Sequence, residues 1–531
     1  MQATISLGTG RFVRLFSDWA ECSRHLRSCQ KDLTKFVPAE ILCKILRLAK
    51  DSSVRPPHPF PKPPGVIDHG SLAEVYSQNI DLVKMTHVSS RWRSVAVTCG
   101  DLWGSVVLVA SDTSTVKSAG LFFVRSKGSV LSVYVWDHGD PSALSKDARG
   151  LVMKLASESR RIVTCELFSQ SSAFWDTWIY PAPIIHKLMI GGKGITNTGL
   201  FSAELGQLRR FSSSGPCGVL PPGGHRTLTF ADINASGSVA SLGALLNAFR
   251  ECEALEQLLL TGFSSLKTGD IPVVTISPPS LRVFTLTFCD TTTILRHINV
   301  PPSIQVINIS LRNPPEDLLS GLPENFRLAR FLQGVERLTV HVRPRQGMFH
   351  LCADRSNSKF QLTIFIISST GSLSLDWVSA SLDEVVEFPP FSTTSSIHFS
   401  TDFYMRSWSP EFLRLPYLQY LDISCPTPES LVHALLHPVI DDGLLARQVL
   451  KTVAFHRCGP CVNPDCAALK RVVHSRRMGQ NQLEEILLHR AVWGRMEASD
   501  PSWVDLLEPR GMVLLPNCQT SANLVPRSSR A

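Results

Sequence analysis

No stretch of this 531-residue chain approaches the roughly 18 consecutive apolar residues that a membrane helix needs. Met1 to Gly10 also lacks the basic start and apolar core of a secretory signal. The expectation is a soluble protein of the cytoplasm or nucleus, without a membrane partner. Cysteine is scattered: the 14 residues have none of the density of a disulfide-stapled scaffold. Most sit in apolar segments, Cys165, Cys252, Cys289 and Cys425 among them, where a reduced thiol behaves as a small hydrophobe. In that compartment the sequons at Asn234 and Asn308 carry no glycan. A strong excess of one charge is missing too, because 53 basic against 45 acidic residues leave a net charge of only +8. Small basic clusters at Arg471, Arg476 to Arg477 and Arg527 to Arg530 have no aromatic rings interleaved, so composition argues against a nucleic-acid partner.

Enzyme signatures are absent as well. Gly191-Gly192-Lys193-Gly194 lacks both the preceding glycine spacing of a phosphate loop and the Ser/Thr after its lysine. His433 and His437 stand four apart, yet Ala434 occupies the place where a metalloprotease needs Glu. The best metal candidate is His456-x-Cys458-x-x-Cys461 with Cys466 and His474 beyond, a half-site for tetrahedral zinc without a second close pair. It reads as a repeat turn that holds cysteines. Neither a metal nor another cofactor is expected.

What is present is apolar. With 44% hydrophobic and 18% charged residues the chain can fill large cores, in two or more domains or in one domain plus an elongated array. Residues 11–36 carry Phe12, Leu15, Phe16 and Trp19 among charges, an amphipathic helical lead-in. Two apolar blocks then span Val37 to Trp103. Pro38 stands near a helix N1 position and Glu40 in the first turn, where the helix dipole favours an acid. Apolar residues at 41, 42, 45, 46 and 48 follow on one helical face. In the second block Leu82, Met85, Val88, Val95 and Ala96 make a comparable stripe with Trp92 beside it, and Leu102-Trp103 closes the unit. From about Lys50 to Tyr76, six prolines predict an intervening surface loop. Such short helices cannot bury all their apolar side chains among themselves, which predicts a partner surface.

After Trp103 the texture turns to β. Val106 to Val109 is a short apolar run, Val116 to Lys127 reads as a helix, and Val130, Leu131, Val133 and Val135 read as a strand. Leu151 to Ser159 is helical in pattern, followed by a strand at Cys165 and Leu167. Then one spacing recurs. Ile185-x-x-Leu188-x-Ile190 is followed by equivalents starting at Leu255, Leu281, Ile304, Val335, Leu418, Leu450 and Leu483. Gaps of 26, 23 and 31 residues between those from 255 to 335, and of 33 between the last two, describe an irregular period with a fixed local pattern. Each unit supplies a short strand with inward aliphatics that only the next unit can cover. Outer helices are expected at Ser241 to Cys252, Trp377 to Val386, Glu429 to His437 and Ala467 to Arg477, with repeats poorly formed near 362 and 397. An ordinary α/β domain with parallel strands gives the same alternation.

The N-terminal residues resemble an F-box, whose usual form is Leu-Pro-x-Glu-Ile/Leu, an apolar helix, a Val-Cys/Ser-x-x-Trp-Arg helix and a Leu-Trp ending. The match runs through Pro38, Glu40, Ile41, Leu42, Ile45, Leu46, Val88, Ser89, Arg91, Trp92, Arg93, Leu102 and Trp103, with Val37 where Leu is commoner. The repeats resemble drifted leucine-rich repeats, and the combination resembles a family of F-box proteins abundant in mushroom-forming fungi. This resemblance implies an α/β chain: a helical lead-in at 1–36, an F-box at 37–103 with a Pro-rich insert at about 50–76, an irregular leucine-rich-repeat solenoid at 104–510, and a flexible tail at 511–531. It implies a non-catalytic substrate receptor of a Skp-cullin-F-box ubiquitin ligase. In that account Pro38, Ile41, Leu42, Ile45, Leu46, Val88, Trp92, Leu102 and Trp103 meet a Skp-family adaptor, which brings a cullin, while the repeats hold an unknown target protein. The competing expectation is a protein-interaction scaffold with a degenerate F-box.

Overall fold

The computed structural model describes residues 37–52, 69–137, 145–192, 199–214, 226–235, 242–263, 275–319, 322–327, 330–355, 359–401, 415–424, 450–455, 485–489 and 512–515. Its architecture is mixed α/β, and the chain divides into two compact units between Leu208 and Arg209. The lead-in, most of the Pro-rich insert, the His433/His437 pair, the zinc candidate and two of the four expected outer helices lie outside the described residues.

In the first unit, helices α1 (Ala39–Ser52), α2 (His69–Thr86) and α3 (Ser90–Thr98) and a 3₁₀ turn (Gly100–Trp103) lead into strand β1 (Ser105–Val109). Helix α1 buries Leu42, Leu46 and Lys50, one turn apart, as its 3.6 period requires. Helix α2 corrects the expectation of a loop to Tyr76, since it starts at His69. The prolines end at Pro64, and beyond them Leu72, Val75, Asn79, Leu82 and Thr86 share a face. Asn79 hides that periodicity in the sequence because it is polar. Its amide is buried on purpose, donating from Nδ2 to the Ser105 carbonyl at 2.9 Å. The second apolar block breaks in two, because Ser89 caps α3 by accepting from the Trp92 N–H at 3.2 Å.

Strands β1, β2 (Leu131–Asp137), β3 (Ile162–Ser169) and β4 (Lys187–Gly192) then pair in parallel. Between them run α4 (Thr113–Ser126), capped by Asp112, and α5 (Lys146–Ser157), capped by Ser145. The last glycine of β4 has a structural reason. Gly192 has φ +116°, and a Cβ there would collide with the Ser169 carbonyl.

The second unit holds β5 (Arg210–Ser214), β6 (Phe230–Asn234), α6 (Leu242–Arg250), β7 (Gln257–Thr261), β8 (Val283–Thr287), α7 (Thr291–His297) and β9 (Val306–Leu311). It continues with β10 (Arg337–Arg343), β11 (Met348–Asp354), β12 (Gln361–Ile367), α8 (Leu375–Glu387), β13 (Ser396–Thr401), β14 (Tyr420–Ser424), β15 (Thr452–Phe455), β16 (Glu485–His489) and β17 (Met512–Leu515). Each recurrence of the apolar spacing coincides with a strand. Its first residue is buried at the strand entrance, as at Leu255, Leu281, Val335 and Leu418. The carbonyl of the next residue accepts two N–H groups from the following unit. Thus Glu256 receives Arg282 and Val283, Arg282 receives Gln305 and Val306, and Gln419 receives Lys451 and Thr452, all at 2.8–3.0 Å.

The order of strands is not the order of the chain. Strand β9 pairs in parallel with β12, β12 and β10 flank β11 in antiparallel register, and β10 pairs in parallel with β13. The chain therefore skips two places after β9, turns back through two hairpins, and crosses to β13 by α8. Gly347, with φ +63°, makes the first reversal, and a side chain there would press on the Gly371 backbone at 2.9 Å. The strands at 361–367 and 396–401 are thus well formed, although the spacing around them is poor.

Candidate functional site

The first candidate surface is the outward side of α1 with the start of α3. Arg91 donates from its guanidinium to the Val37 carbonyl at 2.7 Å, which ties the N-terminal ends of these helices together. Val88 and Pro38 therefore belong to one end of the helical group. Along α1, Pro38, Ile41, Ile45 and Leu48 fall at helical spacing on one stripe. Ile41 is 43% exposed, Leu48 62% and Val88 49%, while Ile45 is half-buried. Four of the nine residues expected at an adaptor thus face outward.

The other five do not. Leu42, Leu46, Trp92, Leu102 and Trp103 are buried within this chain. Their apolar area is already used, so they hold the outward stripe in place from beneath. The indole of Trp103 donates to the Ala96 carbonyl at 2.7 Å, meets Phe122 of α4 edge-on at 4.9 Å, and lies 4.4 Å under the Arg125 guanidinium. Lys50 donates to the Leu102 carbonyl at 2.9 Å and Ser105 Oγ at 3.1 Å, and Arg47 pairs with Asp101 at 2.6 Å. These bonds clamp α1 onto the segment leading to β1. Burial and a hydrogen bond with Cys99 push the Cys43 thiol up to about 11, so it stays protonated at neutral pH. Leu48 and Arg47 carry no family motif, and only the helical stripe could have singled out Leu48.

The second candidate is the polar face of the second unit's sheet. Alternation puts Leu258, Phe284, Ile307, Leu338 and Ile397 into the core, and their neighbours onto the opposite face. Register aligns Asp232, Leu259, Thr285 and Asn308 in one row there. Burial raises the Asp232 carboxyl to about 6. Where the hairpin detour brings β10, β11 and β13 together, three imidazoles meet. His341 and His350 oppose each other across the strand pair with parallel rings 5.6 Å apart, and His398 closes on His341 at 5.3 Å. His398 Nδ1 lies 2.9 Å from Asp422 Oδ2, and Phe365 meets His350 edge-on at 6.0 Å. Burial, then His398, His350 and Arg343, push His341 down to about 4, and burial lowers His350. Both rings are neutral at pH 7. They form an aromatic platform that can stack and hydrogen-bond, and are poorly matched to proton transfer near neutrality.

Sequence reasoning passed over these histidines because they are scattered at 341, 350 and 398. Their places between buried apolar residues are the one signal that they face outward. Among the described residues no group of three or more His, Cys, Asp or Glu side chains is placed to hold a metal ion. No helix among them is long and apolar enough to cross a membrane. Neither a protein-family model nor a curated protein matches this chain.

Proposed function

We propose that this chain is the substrate-recognition subunit of a Skp-cullin-F-box ubiquitin ligase. In this reading the three N-terminal helices are an F-box, and Pro38, Ile41, Ile45, Leu48 and Val88 are its contact with a Skp-family adaptor. The second unit is a drifted leucine-rich-repeat solenoid whose polar sheet face holds the target protein. The chain contributes no reacting group. It acts by proximity, raising the effective concentration of a target lysine near the ubiquitin-charged enzyme.

The observation that carries this reading is the outward apolar stripe on a helical group whose described residues bury a core beneath it. Leu42, Leu46, Trp92, Leu102 and Trp103 are buried, and among the described residues nothing requires Ile41 and Leu48 to be apolar. A partner surface does.

The test is adaptor binding by the full-length chain, compared with Ile41→Asp/Leu48→Asp. Each of these half-exposed aliphatics contributes about 1 kcal/mol on burial, so the pair should raise Kd at least about 30-fold while the melting temperature stays unchanged. Leu42→Asp is unsuited to the purpose, because it would disrupt the core. Wild-type adaptor binding that survives Ile41→Asp/Leu48→Asp would remove this surface from the account. No wild-type binding would leave a protein-interaction scaffold with a degenerate F-box as the better reading.

A further inference from the structure

The first unit presents a second surface that the adaptor reading does not use. Helices α4 and α5 are successive crossovers, β1 to β2 and β2 to β3, in a parallel sheet, and right-handed connections put both on the same side. Inward, α4 buries Val116, Ala119 and Phe122, while α5 buries Leu151, Val152 and Leu155. Outward, each carries a stripe at helical spacing: Lys117, Leu121 and Val124 on α4, and Lys146, Arg149 and Met153 on α5. The aliphatic members are prominent, with Leu121 42% exposed, Val124 72% and Met153 58%. Lys127, Lys154 and Arg160 are exposed beside them. No ion pair to any of these six cations occurs among the described residues; the acids of the same segments are Asp112, Asp147 and Glu158, the last paired with Arg161 at 3.3 Å.

The geometry points to this two-helix face as a docking surface for an anionic membrane, independent of the ligase reading. A single exposed aliphatic is ordinary on any protein. Three of them set among six cations against three acids match the two demands of a lipid interface. Phosphate and carboxylate headgroups take the cations, and the acyl boundary takes the aliphatics. Two helices side by side give the broad contact that such binding needs, without any spanning segment. A nucleic acid fits less well. Its phosphates would press on Leu121, Val124 and Met153, and the stripes offer no ring on which a base could stack.

The experiment is cosedimentation of the full-length chain with vesicles of phosphatidylcholine containing about a third phosphatidylserine, beside pure phosphatidylcholine vesicles. Binding is expected to the anionic vesicles alone, and to fall at least about tenfold when salt is raised from about 0.1 M to about 0.5 M. Lys117→Glu/Arg149→Glu should abolish it. Leu121→Ser/Val124→Ser/Met153→Ser should weaken it about tenfold at unchanged melting temperature, since all three side chains are exposed. No sedimentation with anionic vesicles would overturn the proposal, as would binding that both variants leave intact. Binding to an RNA duplex or a polyglutamate peptide in place of vesicles would reassign the face to a nucleic acid or an acidic protein, and equally overturn it.

Discussion

Removing the indole of Trp103 tests whether the helical group and the first strands share one core. The ring is fully buried, with one hydrogen bond to Ala96, an edge-on contact with Phe122 and the Arg125 guanidinium above it. Truncating a buried tryptophan to alanine costs about 3–5 kcal/mol, a figure that already contains the ring pair and the cation contact. The additional loss of a donor to a buried carbonyl places the expectation at the upper half, about 4–5 kcal/mol. Trp103→Phe keeps a ring against Phe122 and loses the donor and some volume, for about 1.5–2 kcal/mol. The assay is urea and thermal unfolding of the full-length chain followed by far-UV circular dichroism. At about 2–4 °C per kcal/mol for a unit of this size, the alanine variant should melt roughly 8–20 °C lower. That loss belongs to the transition of the first unit, in which Trp103 lies. An alanine variant within about 1.5 kcal/mol of wild type, or a phenylalanine variant as costly as alanine, would refute the shared core.

Gly192→Ala should destabilise the first unit by about 2–4 kcal/mol in the same melts, because φ is positive there and the new Cβ meets the Ser169 carbonyl. Asp232 titrates near 6 in the fold against 3.8 in an unfolded chain, so its charge works against folding above pH 6 and that penalty disappears below about pH 4. Asp232→Asn should therefore raise stability by about 1–2 kcal/mol at pH 7 and leave it unchanged at pH 4. His341 has the opposite sign, titrating near 4 against 6.5. Its unfolded form takes up the proton first, so stability falls as pH drops from about 6.5 to 4, and His341→Gln should flatten that part of the pH profile. Adaptor titrations of Ile41→Asp/Leu48→Asp, set against vesicle binding by Lys117→Glu/Arg149→Glu, should show that the two surfaces act separately.

Much of the local structure was legible in the residues. The strands at Leu258, Phe284, Ile307 and Leu421 announce themselves by three large apolar residues at fixed spacing, because each strand must bury alternate side chains and its entrance residue as well. Where one of the three places holds a small or polar residue the signal fades. The strand around Ala231 carries no such signal for that reason, and the one around Ile397 reads only as a poorly formed repeat, entered by the buried Thr394. The buried Asn79 hides the N-terminal half of helix α2 in the sequence, and its polarity makes sense only once Ser105 is known to lie against it. Of the adaptor candidates, the motif identified all nine as apolar members of one group, but helical periodicity does not say which side of α1 faces β1.

By itself, then, the sequence determined the alternation of short strands and helices, the apolar composition of the N-terminal helices, and the absence of a spanning helix among the described residues. These follow from properties of a few neighbouring residues, namely period, caps, prolines and glycines. Only the tertiary structure decided that Leu42 is core and Ile41 surface, that β12 takes the place beside β9, and that His341, His350 and His398 meet. Those outcomes depend on which segments pack against one another. Parallel pairing is specified by contacts between residues tens of positions apart, so no local window of the chain contains it.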